Sequence, residues 1–287
     1  MNPIVTAGLD GTPESLSAAL WAAQEASARR AALRLLHAWV LLSPDRGDQQ
    51  PENDQNYWPK RIVAEAGRTI EERFPDLRLY EDLVREEPVK ALLEAAGESE
   101  TLVLGSRDMA PLASFFLGDI GMHVLARSRT PTVLVRARED SAPITEDGDV
   151  VLGLSLSGPC DALIEYGFDA AARRGVTLRV VHGRNLPPSA YNRGGLDPYL
   201  SHKMTREARR DLTQALRPWR DRFPGVPVVE TVRMQSPARA VVRDIAGTGL
   251  LVVGRREERP ALSPRIGHVL SAAVHHAPCP VAVVPHV

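Results

Sequence analysis

The sequence predicts an α/β protein of two tandem Rossmann-like domains, each an open, mostly parallel five-stranded sheet with helices on both faces. Two observations point there. Short apolar runs alternate with helix-length amphipathic segments, the pattern of βαβ units. The pattern also runs through the chain twice. Arg29, Leu33, Arg34 and His37 return as Arg174, Leu178, Arg179 and His182, an offset of 145 (182 − 37). Leu102-Val103-Leu104-Gly105 returns as Leu251-Val252-Val253-Gly254, an offset of 149 (254 − 105). Such a period is domain-sized, far beyond the roughly 20–50 residues of a solenoid unit. The predicted domains are residues 1–138 and 148–287, joined by a charged linker at 139–147.

In the first copy, residues 4–9 form an apolar strand that ends in Asp10-Gly11-Thr12-Pro13-Glu14-Ser15, a turn that caps a helix over 14–30. Residues 33–40 are the second strand. Residues 41–60 are rich in Pro, Asp, Asn and Gln and read as a surface loop. A helix over 61–74 and a strand over 79–84 follow. Pro88 suits the first position of a helix reaching residue 96. Residues 101–104 are apolar throughout, as a strand buried on both faces must be. Gly118 opens another helix, and residues 132–135 are the last strand. The second copy repeats this order, with strands at 150–154, 178–182, 226–232, 250–253 and 281–284 and helices at 161–173, 204–222 and 237–246. A polar loop at 183–203 precedes its second helix.

Composition narrows the function. A net charge of −1 provides no global field for nucleic acid or acidic lipid. No apolar run approaches the roughly 20 residues that span a bilayer. The N-terminal stretch lacks a basic flank and reads as a strand, not a signal peptide. Two cysteines, Cys160 and Cys279, imply no disulfide framework, and a reducing cytoplasm is the expected location.

Open parallel sheets bind ligands beyond the carboxyl ends of their strands, where connections diverge. In the first copy that edge carries Asp10-Gly11-Thr12, His37-Ala38-Trp39, and the stretch from Gly105-Ser106-Arg107-Asp108 to Gly118-Asp119. A glycine after an apolar strand allows close backbone approach. A glycine opening a helix presents free N–H groups to an anion. Asp10 can accept a hydrogen bond from an adenine amino or ribose hydroxyl group, or simply cap the turn.

These features resemble the universal stress protein family, over nearly the whole chain and as two tandem domains. Many members of that family bind ATP through Gly-x2-Gly-x9-Gly-Ser/Thr. The corresponding stretches here are Gly105-x2-Asp108-x9-Gly118-Asp119 and Gly254-x2-Glu257-x9-Gly267-His268. Both copies keep the spacing and outer glycines, and both lose the middle glycine and final hydroxyl. The resemblance implies a nucleotide site at Asp10, Ala38, Gly105, Arg107, Asp108, Gly118 and Asp119, with Gly254, Gly267 and His268 as the worn counterpart. A carboxylate in a phosphate cradle repels a phosphate by roughly 1 kcal/mol in water at ~4 Å, and by roughly 4 at an intermediate dielectric. The first copy is therefore expected to hold a nucleotide in preference to the second, as AMP or ADP more readily than ATP with Mg²⁺. Arg107, or Arg255 and Arg256, offsets part of the repulsion. The family resemblance further implies a binding role in stress regulation, with no catalysis. It implies an intramolecular pseudo-dimer through strands 132–135 and 281–284, with a homodimer or another protein as a further partner.

Other readings are weaker. A scaffold protein whose pockets take no ATP is the main alternative. Ser155-Leu156-Ser157-Gly158-Pro159-Cys160-Asp161 is similar to the pyrophosphate loop of ATP pyrophosphatases, adenylating enzymes of the same sheet type, but Pro159 removes a donor there. A flavoprotein reading rests on fold analogy alone. Ser157 with His182 provides no positioned base for hydrolysis. His275, His276 and Cys279 look like a metal cluster only on paper, and the arginines between 206 and 222 read as a solvated helix face.

Overall fold

A computed structural model describes residues 3–40, 57–106, 118–136, 148–192, 195–257 and 267–286. The chain divides into two compact units, Met1–Ile144 and Thr145–Val287. The expected linker, 139–147, lies outside the described residues.

The first unit runs β1 (Ile4–Gly8), α1 (Pro13–Arg29), β2 (Ala32–Ala38), α2 (Tyr57–Arg73), β3 (Leu79–Val84), α3 (Pro88–Gly97), β4 (Thr101–Ser106), α4 (Asp119–Arg127) and β5 (Thr132–Arg136). All its pairings are parallel, and its strand order is β3-β2-β1-β4-β5. The second unit runs β6 (Asp149–Gly153), α5 (Asp161–Arg174), β7 (Leu178–Gly183), the two-residue strands β8 (Tyr191–Asn192) and β9 (Gly195–Leu196), α6 (Pro198–Arg222), β10 (Val228–Arg233), α7 (Pro237–Arg243), β11 (Thr248–Arg256), α8 (His268–His276) and β12 (Val281–His286). Its main sheet is parallel in the equivalent order, β10-β7-β6-β11-β12. In both units the chain turns back at the first strand, so neighbouring connections diverge between β1 and β4 and between β6 and β11. Those are the crevices where this architecture holds ligands.

Central strands bury nearly every residue: β4 and β11 carry Leu102, Val103, Leu250, Leu251, Val252 and Val253 at almost no exposure. Helices cover both faces, α1 packing beside α2 and α3 beside α4, with α5–α6 and α7–α8 as their counterparts. The stripe of Ala18, Ala19, Ala22, Ala23 and Ala26 lets α1 lie close on the sheet around the buried Trp21. Helix ends show the repeat at atomic level. The residue after α1, Arg30, is left-handed at φ 54°, and its counterpart after α5 is Gly175 at φ 64°. His37 donates from Nδ1 to the Leu9 carbonyl at 2.8 Å, and His182 donates to the Leu154 carbonyl at 2.9 Å. Both rings are buried, so each ties the end of the second strand to the turn after the first.

Two expected loops are shorter than the sequence suggests. Helix α2 begins at Tyr57, because Pro59 falls in the first turn, where no intrahelical N–H bond is needed. Residues 41–56 lie outside the described part. Helix α6 begins at Pro198 rather than 204: Asp197 accepts from the Tyr199 and Leu200 amides at 2.9 and 3.2 Å, with Pro198 at the first position. A 3-10 turn, Pro188–Ala190, and the β8–β9 pair occupy part of the remaining stretch. Strand β4 continues through Ser106, which places Gly105 inside the strand instead of in the loop after it.

Candidate functional site

A cavity of about 560 Å³ opens at the carboxyl edge of the first unit's sheet. Asp10, Ala38, Gly105, Gly118 and Asp119 all line it, although they come from four separate chain segments. Leu36, Leu92, Leu104 and Ile120 supply apolar walls; Thr12 and His37, expected at this edge, line it, and Glu14 and Ser15 add polar residues that the sequence did not point to. Arg107 and Asp108 lie outside the described residues.

The turn after β1 is self-braced. Gly11 takes φ +82°, and Asp10 Oδ1 accepts from the Thr12 amide at 3.0 Å and the Thr12 hydroxyl at 2.5 Å. Thr12 in turn caps α1 by accepting from the Ser15 amide at 3.2 Å. Asp10 thus performs the turn role expected of it and also lines the cavity. A Cβ on Gly105 would lie 2.6–2.8 Å from the backbone of Glu14 and Ser15. This glycine therefore admits the first turn of α1, not a ligand, to the sheet surface. Gly118 caps α4 without a side-chain acceptor, so the first amides of α4 are left for water or a ligand. Three acidic residues, Asp10, Glu14 and Asp119, are among those lining this cavity.

The second unit has a matching cavity, also about 560 Å³, lined by Gly254, Gly267 and His268 as the repeat predicts. Ser155, Ser157, Arg256 and His286 join them. Arg256 donates to the Ser157 hydroxyl at 2.6 Å and to its carbonyl at 3.3 Å; the Ser155 and Ser157 hydroxyls lie 2.8 Å apart. His286 donates from Nδ1 to the Pro159 carbonyl at 3.1 Å. Parallel pairing sets Arg256 beside His286, and strand alternation sends Arg255 to the buried opposite face. Gly254 is again enclosed by protein: a Cβ there would meet the His286 ring at 2.5 Å and Leu163 at 2.9 Å. Glu257, expected to intrude on the cradle, is not among the lining residues.

The Universal stress protein family profile matches residues 1–136 and again 148–285. The chain belongs to the universal stress protein family, in its tandem form. A universal stress protein of Mycobacterium tuberculosis is 29% identical over 97% of this chain and 96% of its own length. One of Mycolicibacterium smegmatis is 26% identical over 98% and 96%. A universal stress protein from Archaeoglobus fulgidus has the same fold, with a TM-score of 0.74 at 15% identity over 98% of each chain. Within this tandem universal stress protein, Gly105, Gly118 and Asp119 line the first cavity and Gly254, Gly267 and His268 the second, while Glu257 lines neither.

His182 is buried and absent from the second cavity's lining, so it offers Ser157 no base. Burial pushes the Cys160 thiol up, with help from the Asp161 carboxylate, which disfavours the thiolate. His275 and His276 stack edge to face, Cys279 is buried, and no group of three or more His, Cys, Asp or Glu is placed to hold a metal among the described residues. No helix among them is long and apolar enough to cross a membrane.

Proposed function

We propose that the first unit binds an adenine nucleotide and that the protein acts in stress-linked regulation through this binding, not through turnover. The observation that carries the reading is the convergence of Asp10, Ala38, Gly105, Gly118 and Asp119 on one cavity. Its volume falls within the roughly 300–1,000 Å³ of small-molecule sites. Leu36, Ala38 and Leu92 give an apolar wall for a base. Asp10 accepts from a ribose hydroxyl. His37, its Nδ1 proton given to Leu9, keeps Nε2 as an acceptor for an amino or hydroxyl group. The amides opening α4 face one phosphate.

The acidic residues of the lining, Asp119 above all at the start of α4, limit how many phosphates follow. Each added phosphate charge near Asp119 meets repulsion of about 1 kcal/mol or more, so AMP and ADP bind ahead of ATP, and ATP needs Mg²⁺. Calorimetric titration with adenosine, AMP, ADP and Mg-ATP tests this order, and Ala38→Trp, which fills the base end, should abolish binding of all four. No heat with any of them at millimolar concentration defeats the proposal. The same carboxylates favour the alternative of a scaffold whose cavity takes no nucleotide, and that titration separates the two.

The pseudo-dimer remains part of this reading. Strands β5 and β12 stand outermost in their own five-stranded orders and carry apolar runs suited to pairing with each other. Cysteine pairs introduced along the two strands should crosslink in the intact protein; their failure at every register would exclude that arrangement. The two cysteines form no disulfide and are both buried, which suits the reducing cytoplasm this role implies.

A further inference from the structure

The arginines of α6, a solvated helix face by sequence, form an ordered stripe. The helix buries Met204, Ala208, Leu212 and Leu216. Its opposite face is exposed and carries, at alternating steps of four and three residues, Tyr199, Lys203, Arg206, Arg210, Thr213 and Arg217. Among the described residues, the four cations of this stripe make no ion pair or side-chain hydrogen bond, and neither does Arg209 beside them. Other arginines are held internally: Arg34 by Glu98 at 2.8 Å, Arg233 by Asp244 at 2.6 Å, and Arg220, next in phase on α6, by Glu230 at 2.8 Å. The corresponding helix of the first unit, α2, mixes both signs on its exposed face, with Arg61 bonded to Glu65 at 2.5 Å and Glu71 and Glu72 further along. The fold itself therefore does not require the stripe. Like charges three and four residues apart on a helix repel, so the arrangement weakens α6 unless something outside the unit faces it. We propose that this face of α6 docks an acidic helix of a partner protein, whose carboxylates follow the same four-and-three spacing. The inference is independent of what either cavity binds.

The geometry selects a helix among acidic partners. Alternating steps of three and four are the spacing with which one helix meets another along its length at a shallow crossing angle. A guanidinium fork matches a carboxylate with two parallel hydrogen bonds, and three of the four stripe cations are arginines. The stripe is narrow. Glu207 and Asp211 flank it on one side, and Asp221 closes its C-terminal end, one turn beyond Arg217. A bilayer surface or a polyphosphate chain spreading over the helix would meet these carboxylates, whereas a single helix stays on the cationic seam. Tyr199, 75% exposed at the first turn of α6, provides an aromatic anchor in phase with the charges. Lys203 and Arg217 stand about 21 Å apart, at roughly 1.5 Å of rise per residue. One helix laid along that length makes a small, polar interface, so the complex is transient and sensitive to salt.

The test is fluorescence anisotropy of the full-length protein with a labelled helical peptide that carries glutamates in the four-and-three phase. An isomer of the same composition, with its glutamates scattered around the helix, is the comparison. The in-phase peptide should bind about tenfold more tightly than the isomer, and a rise in salt from about 0.01 to about 0.15 M should weaken it by about tenfold or more. Arg206→Glu with Arg210→Glu should lower its affinity by about tenfold or more at an unaltered melting temperature, since both side chains are exposed. A lysine version of the in-phase peptide should then bind that variant more tightly than it binds the wild type, which a misfolded variant would not show. Arg73→Glu, an exposed charge at the end of α2, should leave binding of the acidic peptide unchanged. Absence of binding at low salt, equal binding of the two acidic isomers, or an equal loss with Arg73→Glu overturns the proposal. So does tighter binding of single-stranded oligothymidylate, or of phosphatidylserine vesicles, than of the in-phase peptide.

Discussion

Replacing Gly105 by alanine probes the packing that shapes the first cavity. The added Cβ would fall 2.6 Å from the Glu14 carbonyl carbon, 2.7 Å from the Ser15 amide nitrogen and 2.8 Å from the Glu14 oxygen. All three are backbone atoms of the first turn of α1, so no side chain can swing aside. Restoring ordinary contact near 3.4 Å requires that turn to recede by about 0.6–0.8 Å. Overpacking of this kind costs about 1–3 kcal/mol. For a unit of this size that is roughly 2–4 °C of melting temperature per kcal/mol. Gly118→Ser is the control. Nothing among the described residues lies within 4 Å of a Cβ there, the backbone is at φ −50°, and serine caps a helix well. Its stability should stay within about 0.5 kcal/mol of the parent. Thermal and denaturant unfolding of both variants measures the contrast, with hydrogen exchange at β4 and α1 to locate it. An alanine at 105 within 0.5 kcal/mol of the parent would refute the claim that α1 requires this glycine.

Two further outcomes follow from the same geometry. Arg30 is exposed and left-handed where the second unit has Gly175, so Arg30→Gly should raise stability by about 0.5–1 kcal/mol, and Gly175→Arg should lower it comparably, in denaturant titrations. Arg233 makes two bonds to Asp244, at 2.6 and 2.8 Å, and holds that carboxyl below the usual carboxylate range, chiefly by the hydrogen bond itself. A lowered carboxyl value means a stabilisation fully present above the ordinary value of about 3.9 and lost as pH falls through the folded one. Arg233→Ala should therefore cost about 1 kcal/mol near neutrality, after screening of the partly exposed pair, with the gap from wild type closing in acid. A gap that persists or widens below pH 3 would contradict this assignment.

The order of strands and helices was legible because buried parallel strands must be apolar throughout, and residues 101–104 and 250–253 have no other reading. Helix starts were legible where proline marked them, at Pro88 and Pro237. They were missed at Pro198, where a polar following turn masked the Asp197 cap, and at Tyr57, where Pro59 looked like loop chemistry. The cavity residues next to the repeated glycines were readable from spacing. Arg256 was also expected beside the second cradle, but His286 was not, because it lies thirty positions from Arg256 and meets it only through the register of β11 and β12. Glu14 and Ser15 were hidden for a related reason: they belong to the first turn of α1, and only the folded sheet edge brings that turn to the cavity.

The repeated glycines also carry less functional weight than their spacing suggests. Gly105 is closed off by the backbone of α1, and Gly254 by the ring of His286 and by Leu163, so each is explained by packing without any ligand. A motif position filled for two different internal reasons says little about what binds beside it. The positions that distinguish the cavities are those with room to change. Asp119 corresponds to His268 and Asp10 to Ser155, and the two substitutions each remove a negative charge at the same edge of the same fold. If duplication left one scaffold twice, these exposed positions are where the halves can take different ligands at little cost to stability, since none of the four side chains supports the core. On that argument, Asp119→Ser should leave the first unit's stability within about 0.5 kcal/mol of the parent in denaturant unfolding, whereas Asp10→Ala, which removes the acceptor of two Thr12 bonds, should lower it measurably.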